Sequence, residues 1–540
     1  MLGSPCVSVL GPDPTHHAGA GARTHVLNGN AFQQDAIVTF AGWQYVCFYS
    51  PLASENTPST LEPVYVHLAR RKLPAGPWQT LVFDDYPQTT DDGHNTVQIG
   101  ICPGDGTIHL SYDHHCDRLR YRHSVPKLAL TPEAFQWTAL EFTPTLATLP
   151  GLPKEDPEID ALLGYVTYPR FGLLGTSKLW FSFRTGKAGL GDDHLAIYDP
   201  ASATYSRPVT HLKGVDSNPY IHGLDYRPHR DSSAQRAQGA LHTTWVYRGF
   251  VWYPGWDDPE DTKHKAQAGP NSGENNHDLC FAYSEDEGST WRNGAGDMIA
   301  DKGKSIEPTA PGVRAFKIPK NSGLANQESQ AVDHEGGVHV LNRDSLPVDG
   351  DGIEENPENQ IRWKHYYRSP KGVWTQTALP GVRTGYGGKR GQVAVSKHGD
   401  LYFVLPEALA APPPSADSAP HPQQQLTILK ATKTSAYTDY QLVWRGGSDS
   451  GLETKAAGTA ALSLTADAAV SSSMLRFPPT EPLIDKARLD HDEVLSVFVR
   501  AYSPTAATSD DSGAGSGSRE PKEREGRVDV VVLDFEIVEL

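Results

Sequence analysis

The chain is short of the residues that build helical cores: its 540 residues include 3 Met, and long Leu/Ala/Glu/Lys-rich stretches with a helical apolar stripe are missing. Cysteine is sparse as well. The five, Cys6, Cys47, Cys102, Cys116 and Cys280, fall at irregular intervals, which argues against a dense disulfide framework and predicts reduced, buried thiols. Basic charge is outweighed, 48 Lys and Arg against 65 Asp and Glu, for a formal net charge of -17. That balance argues against nucleic acid as a partner, because phosphate neutralisation needs a basic face. An acidic sugar stays open, since a few Arg and His in a cleft bind one carboxylate whatever the global charge. No apolar run approaches the roughly 20 residues of a membrane helix, and the first residues, MLGSPCVSVLGPDP, lack the basic start and apolar stretch of a secretory signal. The expectation is a soluble protein without a membrane partner. Its compartment stays open, a trimmed mature chain being the secreted case.

Glycine, proline and aromatics are plentiful: 50 Gly, 42 Pro, 22 Tyr, 16 Phe and 11 Trp, the composition of short strands joined by tight turns. Seven β-rich runs recur, mostly after a Gly turn: WQYVCFYS from Trp43, GTIHLSYDHH from Gly106, SKLWFSFRTG from Ser177, GALHTTWVYRG from Gly239, GGVHVLNRD from Gly336, GDLYFVLPE from Gly399 and EVLSVFVRAY from Glu493. They are spaced by roughly 60 to 70 residues, and by about 95 in two places, which is blade length with insertions. Before most of them lies another strand and a tight turn, as in HNTVQIGICPGDG and RGQVAVSKHGD. The segment SEDEGSTW, Ser284 to Trp291, fits the Asp-box pattern, a hairpin whose Asp and Gly hold the turn and whose Trp packs between sheets.

The fold expected is therefore all-β: one seven-bladed β-propeller domain over residues 1–540, closed by its N- and C-terminal strands, the last being RVDVVVLDFEIVEL. Two polar low-complexity stretches, near 410–425 and 505–526, read as disordered excursions from it.

A propeller gathers the starts of its inner strands around one mouth of a central channel. Those starts carry His94 and Asn95, Tyr168 and Arg170, Tyr220 and His222, Asn326 and Gln327, and Lys389 and Arg390; neighbouring strand ends add His114, Arg184, Arg248 and Arg343. The set is imidazole, phenol and guanidinium without an obvious pair of acids. Ordinary glycoside hydrolysis needs two carboxylates at a set separation. Elimination from a uronate needs a cation to neutralise the carboxylate that acidifies C5, a base for that proton, and an acid for the departing O4.

The chain resembles the BNR-repeat propeller lyases, including ulvan lyases and fungal rhamnose–glucuronate lyases, from NGNAFQQD at Asn28 to about Glu407. The residues that carry the resemblance are DGHN with His94, YDHH with His114, YPRF with Tyr168, FSFRTG with Arg184, and NHDLCFAYSEDEGSTW from Asn276. It implies that His94 and His114 flank the scissile bond, that Tyr168 acts as acid or base, and that Arg184 neutralises the uronate. His115, adjacent to His114, leaves the register open, because alternate strand positions face opposite ways. Substrate contacts are expected at Asn95, Arg170, Tyr226, Arg248, Asn326 and Arg390, and an aromatic wall for a sugar ring in YRGFVWYPGW, Tyr247 to Trp256.

The activity so implied is cleavage at O4 of a glucuronate by β-elimination, with rhamnose–glucuronate linkages favoured and an acidic polysaccharide or oligosaccharide as partner of a monomer. No cofactor is required for it. For a structural zinc or calcium ion the candidates are His277 and Cys280 with His222 and His242, which lack a second tight ligand pair, so no metal ligand is assigned. Two alternatives remain at this level, a sialidase-like hydrolase and a non-catalytic glycan-binding propeller. Each residue also has a structural reading: His94 as a turn cap, His114 and His115 as solvated strand ends, Tyr168 and Arg184 as a strand aromatic and an ion-pair partner.

Overall fold

A computed structural model of the chain describes residues 2–15, 23–52, 61–153, 155–228, 239–258, 262–266, 268–348, 360–384, 388–408, 424–446, 475–502 and 527–537. The strands fall into seven sheets arranged as a seven-bladed propeller, with three α-helices among the described residues. Each of the seven recurring β-rich runs forms the second strand of its blade. In blade 1 that strand is Trp43–Ser50, between Ile37–Phe40 and Val64–Lys72, with Gln79–Gln88 outermost. Blade 2 pairs Val97–Ile101, Ile108–Tyr112 and Tyr121–His123. Blade 3 is built on Val166–Leu174, Lys178–Arg184 and Asp193–Asp199, and blade 4 on Ser217–Arg227, Ala240–Gly249 and Asn276–Ser284. Blades 5 and 6 begin at Ser329–Val332 and Gln392–Val395.

Blade 7 explains how the ring closes. Its order is Leu483–Ile484, Val494–Tyr502, Val528–Glu536 and then Cys6–Pro12, so the N-terminal strand completes a sheet begun by the C-terminal ones. The expected closure is thus observed. It ties the ends of the chain by main-chain hydrogen bonds, with Cys6–Pro12 as the outermost strand of blade 7.

Alternation along each strand puts apolar side chains on both faces of a sheet, because each blade is covered by a neighbour on either side. The buried apolar residues accordingly form seven clusters, each shared by adjacent blades. One joins Ile37, Val46 and Phe48 of blade 1 to Phe498, Val530 and Val532 of blade 7, which makes the seam a packed core as well. Between blades 3 and 4 the Asp box does what its residues predict: Asp286 accepts from the Thr290 amide and hydroxyl, both at 2.8 Å, and Gly288 turns with φ 84°. Trp291 is then laid into the interface with Trp180, Leu195 and Trp245.

The first strand of each blade lines the channel, and all run from one mouth to the other. At the far mouth lies the helix Lys486–Asp492, which links blade 7 to three others. Its N-cap Asp485 accepts from Thr39 of blade 1, Lys486 reaches Asp225 of blade 4 at 3.4 Å, and Asp490 pairs with Arg227 at 2.7 Å and with His334, beside blade 5, at 2.9 Å. No helix among the described residues is long and apolar enough to cross a membrane. Except for Gln424 and Gln425, which start a strand of blade 6, the two low-complexity stretches lie outside the described residues.

Candidate active site

The near mouth is built from the residues that precede or open the inner strands. Asn30 begins it: its side-chain oxygen accepts from the Phe32 amide at 2.8 Å, and its amide group donates to the carbonyls of Val26 and Gly93, both at 2.8 Å. One side chain therefore fixes the NGNAF segment against the DGHN turn. Phe32 stacks on His94, centroids 5.0 Å apart and 14° from parallel, and lies 5.0 Å from Tyr168.

The DGHN turn is closed by Asp92. Its Oδ1 accepts from the His94 amide at 2.9 Å and from His94 Nδ1 at 2.6 Å, while Oδ2 accepts from His115 Nδ1 at 2.6 Å. The two imidazoles are stacked at 3.8 Å. Burial works against the Asp92 carboxylate, but the donors from His115 and His94 together outweigh it and hold the group well below the usual carboxylate range. His115 is pushed down to about 4, by burial first and by neighbouring His94 second, so it is neutral near pH 7.

Tyr168 sits at a bulge in the inner strand of blade 3, where the register shifts between Thr167 and Arg170. Its φ of 53° is a left-handed conformation that costs a non-glycine residue roughly 1–3 kcal/mol. Burial, and then nearby Tyr220, raise its phenol, with Arg184, Arg248 and Arg390 opposing, so the hydroxyl is held in its protonated form.

The guanidinium of Arg184 lies 4.9 Å from the Tyr168 ring centre and 5.0 Å from that of Tyr220. It donates to the Tyr220 hydroxyl at 2.7 Å and to the Gly186 carbonyl at 3.0 Å. Arg248 covers the Tyr220 ring at 4.5 Å and is held by Asn276 at 2.9 Å. Arg390 completes the wall over Phe32 at 4.9 Å and donates to Asn326 at 2.8 Å. His94, Tyr168, Arg184, Arg248, Asn326 and Arg390, up to 296 residues apart (390 − 94), thus meet in one cluster.

Two expectations need correction. His114 does not face the cluster: its ring is fully buried, its Nε2 accepts from the Arg120 amide at 2.8 Å, and burial pushes its pKa well down. His114 lies in the bend between Ile108–Tyr112 and His115–Asp117, where Asp113 turns with φ 65°, and His115, which opens the next strand, reaches the cluster in its place. Tyr226 lies at the far end of its strand, about 20 Å from Tyr220 at six residues of β rise, and accepts from the Gly239 amide beside a recess lined by Lys178 and Glu287. Tyr220, at the strand's start, is the phenol that joins the cluster.

Asn95 and Arg170 border the cluster without opening onto it in the same way. The Asn95 amide group is spent on Thr90 and Asp113, each at 2.7 Å. Arg170 is buried deeper in the channel, where desolvation lowers it to about 10 against the pull of Asp193 and Asp35, and its Nε and Nη1 have no hydrogen-bond partner among the described residues. Phe32 and Asp92 were not singled out from sequence. Their signal lay in the quoted motifs NGNAFQQD and DGHN, but nothing in a linear string shows that the two touch.

The residues considered for a structural ion do not converge. His222 has both ring nitrogens engaged, by the Glu328 amide at 3.0 Å and the Asn342 side chain at 3.2 Å, and His277 is bonded to Asp278. Among the described residues, the one group of three whose ligand-type atoms lie within 4.8 Å of one another is Asp92, His94 and His115. Its 2.6 Å contacts are short hydrogen bonds from ring nitrogen to carboxylate.

The class defined by this fold and mouth is a seven-bladed propeller with a basic, phenolic cluster at one end of its channel. Residues 43–381 match the BNR repeat-containing family, and the chain belongs to it. Among solved structures it is similar to the polysaccharide lyase Uly1, with a TM-score of 0.59 and 16% identity over 99% of both chains. It is also similar to an ulvan lyase of polysaccharide lyase family PL25, with a TM-score of 0.53 and 13% identity over 90% of this chain and 92% of that one; that protein has also been solved bound to -[GlcA(1-4)Rha3S]-. A search of curated proteins returned no match.

Proposed function

We propose that this protein is a polysaccharide lyase that cleaves at O4 of a glucuronate by β-elimination, with rhamnose–glucuronate linkages as its substrate. The observation that carries the reading is the convergence of neutral imidazole, protonated phenol and guanidinium at one channel mouth. Asp92, the carboxylate that touches the imidazoles, has both oxygens committed to histidine, and Glu481 is paired with Arg390 at 3.3 Å. Arg184 neutralises the uronate carboxylate and so acidifies C5. His94, whose side chain is 29% exposed and whose Nδ1 is donated to Asp92, presents Nε2 as the base. Its more buried neighbour His115 stays neutral beside it. Tyr168, held protonated, supplies the proton to O4 as the C4–O4 bond breaks and the C4–C5 double bond forms. Arg248, Asn326 and Arg390 contact the flanking sugars. The polymer bound by the similar ulvan lyase, a glucuronate–rhamnose repeat, supports this choice of substrate.

The test is incubation with glucuronate–rhamnose polymers and a panel of other uronate polymers, followed by ultraviolet absorbance and mass spectrometry. A conjugated, unsaturated uronate is expected, whereas a hydrolase product would be heavier by one water. Silence on every uronate polymer would overturn the proposal.

A further inference from the structure

We infer that Asp92 is a positioning residue that makes His94 and His115 one unit, by fixing both imidazoles in the tautomer that carries hydrogen on Nδ1 and leaves Nε2 free. This rests on the lyase reading for its link to turnover, but its geometry is independent of substrate. A carboxylate accepts and does not donate, so a ring nitrogen 2.6 Å from Asp92 must carry a proton, and this holds at both rings. The same carboxylate takes the His94 amide, which locks the backbone of the turn together with the ring it bears. Stacked at 3.8 Å, the two rings share one carboxylate and move as a pair. When His94 Nε2 accepts the proton from C5, its Nδ1–H stays on Asp92 and the new imidazolium faces a carboxylate.

The other charged or titratable groups around the pair are accounted for. Arg184 and Tyr168 face it from blade 3, and His264 approaches His115 edge-on at 6.1 Å. Asp117, which accepts from the His115 amide, is paired with Lys265, and Asp91 with His25. Among the hydrogen bonds of these groups, only those of Asp92 reach both ring Nδ1 atoms.

The experiment compares native protein with Asp92→Asn and Asp92→Glu. Long-range proton–nitrogen NMR on histidine-labelled protein, with the two rings identified through His94→Gln and His115→Gln, reads the tautomers directly. In the native protein both rings should carry hydrogen on Nδ1. In Asp92→Asn, which has a single acceptor oxygen and a donating NH2, at least one ring should change tautomer. On a cleavable uronate polymer, kcat should fall roughly 100-fold with KM within about threefold, and the acidic limb of the pH–rate profile should move to lower pH by about one unit because an anion beside the base is gone. Asp92→Glu, which keeps the charge, should recover part of kcat and, should the Asn variant not fold, carries the tautomer measurement by itself. Unchanged tautomers and pH profile would reduce Asp92 to a turn residue and overturn the inference. So would stoichiometric metal in the purified protein whose removal by chelator perturbs both rings. Tautomers that move as expected in a protein that cleaves no uronate polymer would leave the positioning role standing and remove the lyase reading.

Discussion

The groups proposed to carry the chemistry differ in what supports them, and their substitutions separate accordingly. Tyr168 is held by ring contacts with Phe32, Tyr220 and Arg184, so Tyr168→Phe keeps its packing and removes the proton donor; kcat should fall by roughly 100-fold or more while Tm is preserved, read by turnover and thermal melts side by side. Arg184→Ala should cost about 3–4 kcal/mol in kcat/KM, the scale of losing one stabiliser of developing charge. Adjacent histidines give a sharper contrast. His115→Gln should abolish turnover, because it removes a ring from the stack on Asp92. His114→Gln should instead lower Tm and leave kcat within a few-fold, since His114 is tied to the Arg120 amide away from the cluster. Loss of activity in the second and not the first would reverse the assignment of register.

Among the elements, the loop after Arg248 combines an exposed aromatic with firm anchoring. Trp252 on it is 63% exposed, yet the loop is anchored: Val251 and Asn271 exchange hydrogen bonds at 2.6 and 2.9 Å, and Lys187, three residues beyond Arg184, donates to the Trp256 carbonyl at 2.9 Å. An anchored loop that presents an exposed aromatic face is suited to stacking on a pyranose. Trp252→Ala should therefore raise KM several-fold and leave kcat and Tm unchanged, measured on a long-chain substrate. By contrast the Asp box, legible as SEDEGSTW, lies between blades 3 and 4 and serves the fold, with Trp291 buried in that interface.

For the whole molecule, the far mouth is one place where ring stability depends on pH. Asp490 is lowered to about 2: burial opposes its charge, but His334 and Arg227 outweigh it. A carboxylate whose folded pKa lies below its ordinary value of 3.8 adds stability above that value, and the contribution is lost as pH falls from about 4 to about 2. With the group largely buried, the size is about 2 kcal/mol. Asp490→Asn should lower Tm at pH 7 and flatten the fall in Tm below pH 4; an unchanged acid slope would show that the helix Lys486–Asp492 is held by other contacts. The sequence by itself determined the repeat, the β class, the Asp box and the chemical kind of the site, because strand alternation, turn residues and blade period are local properties of the string. Only the tertiary structure decided which member of each adjacent or same-strand pair faces inward, His115 over His114 and Tyr220 over Tyr226. It also decided that Phe32 and Asp92 organise the pocket. The bend at Asp113 separates the two histidines and six residues of strand carry a side chain to the other mouth, so the deciding quantity is the path of the chain around a closed ring, which no single repeat contains.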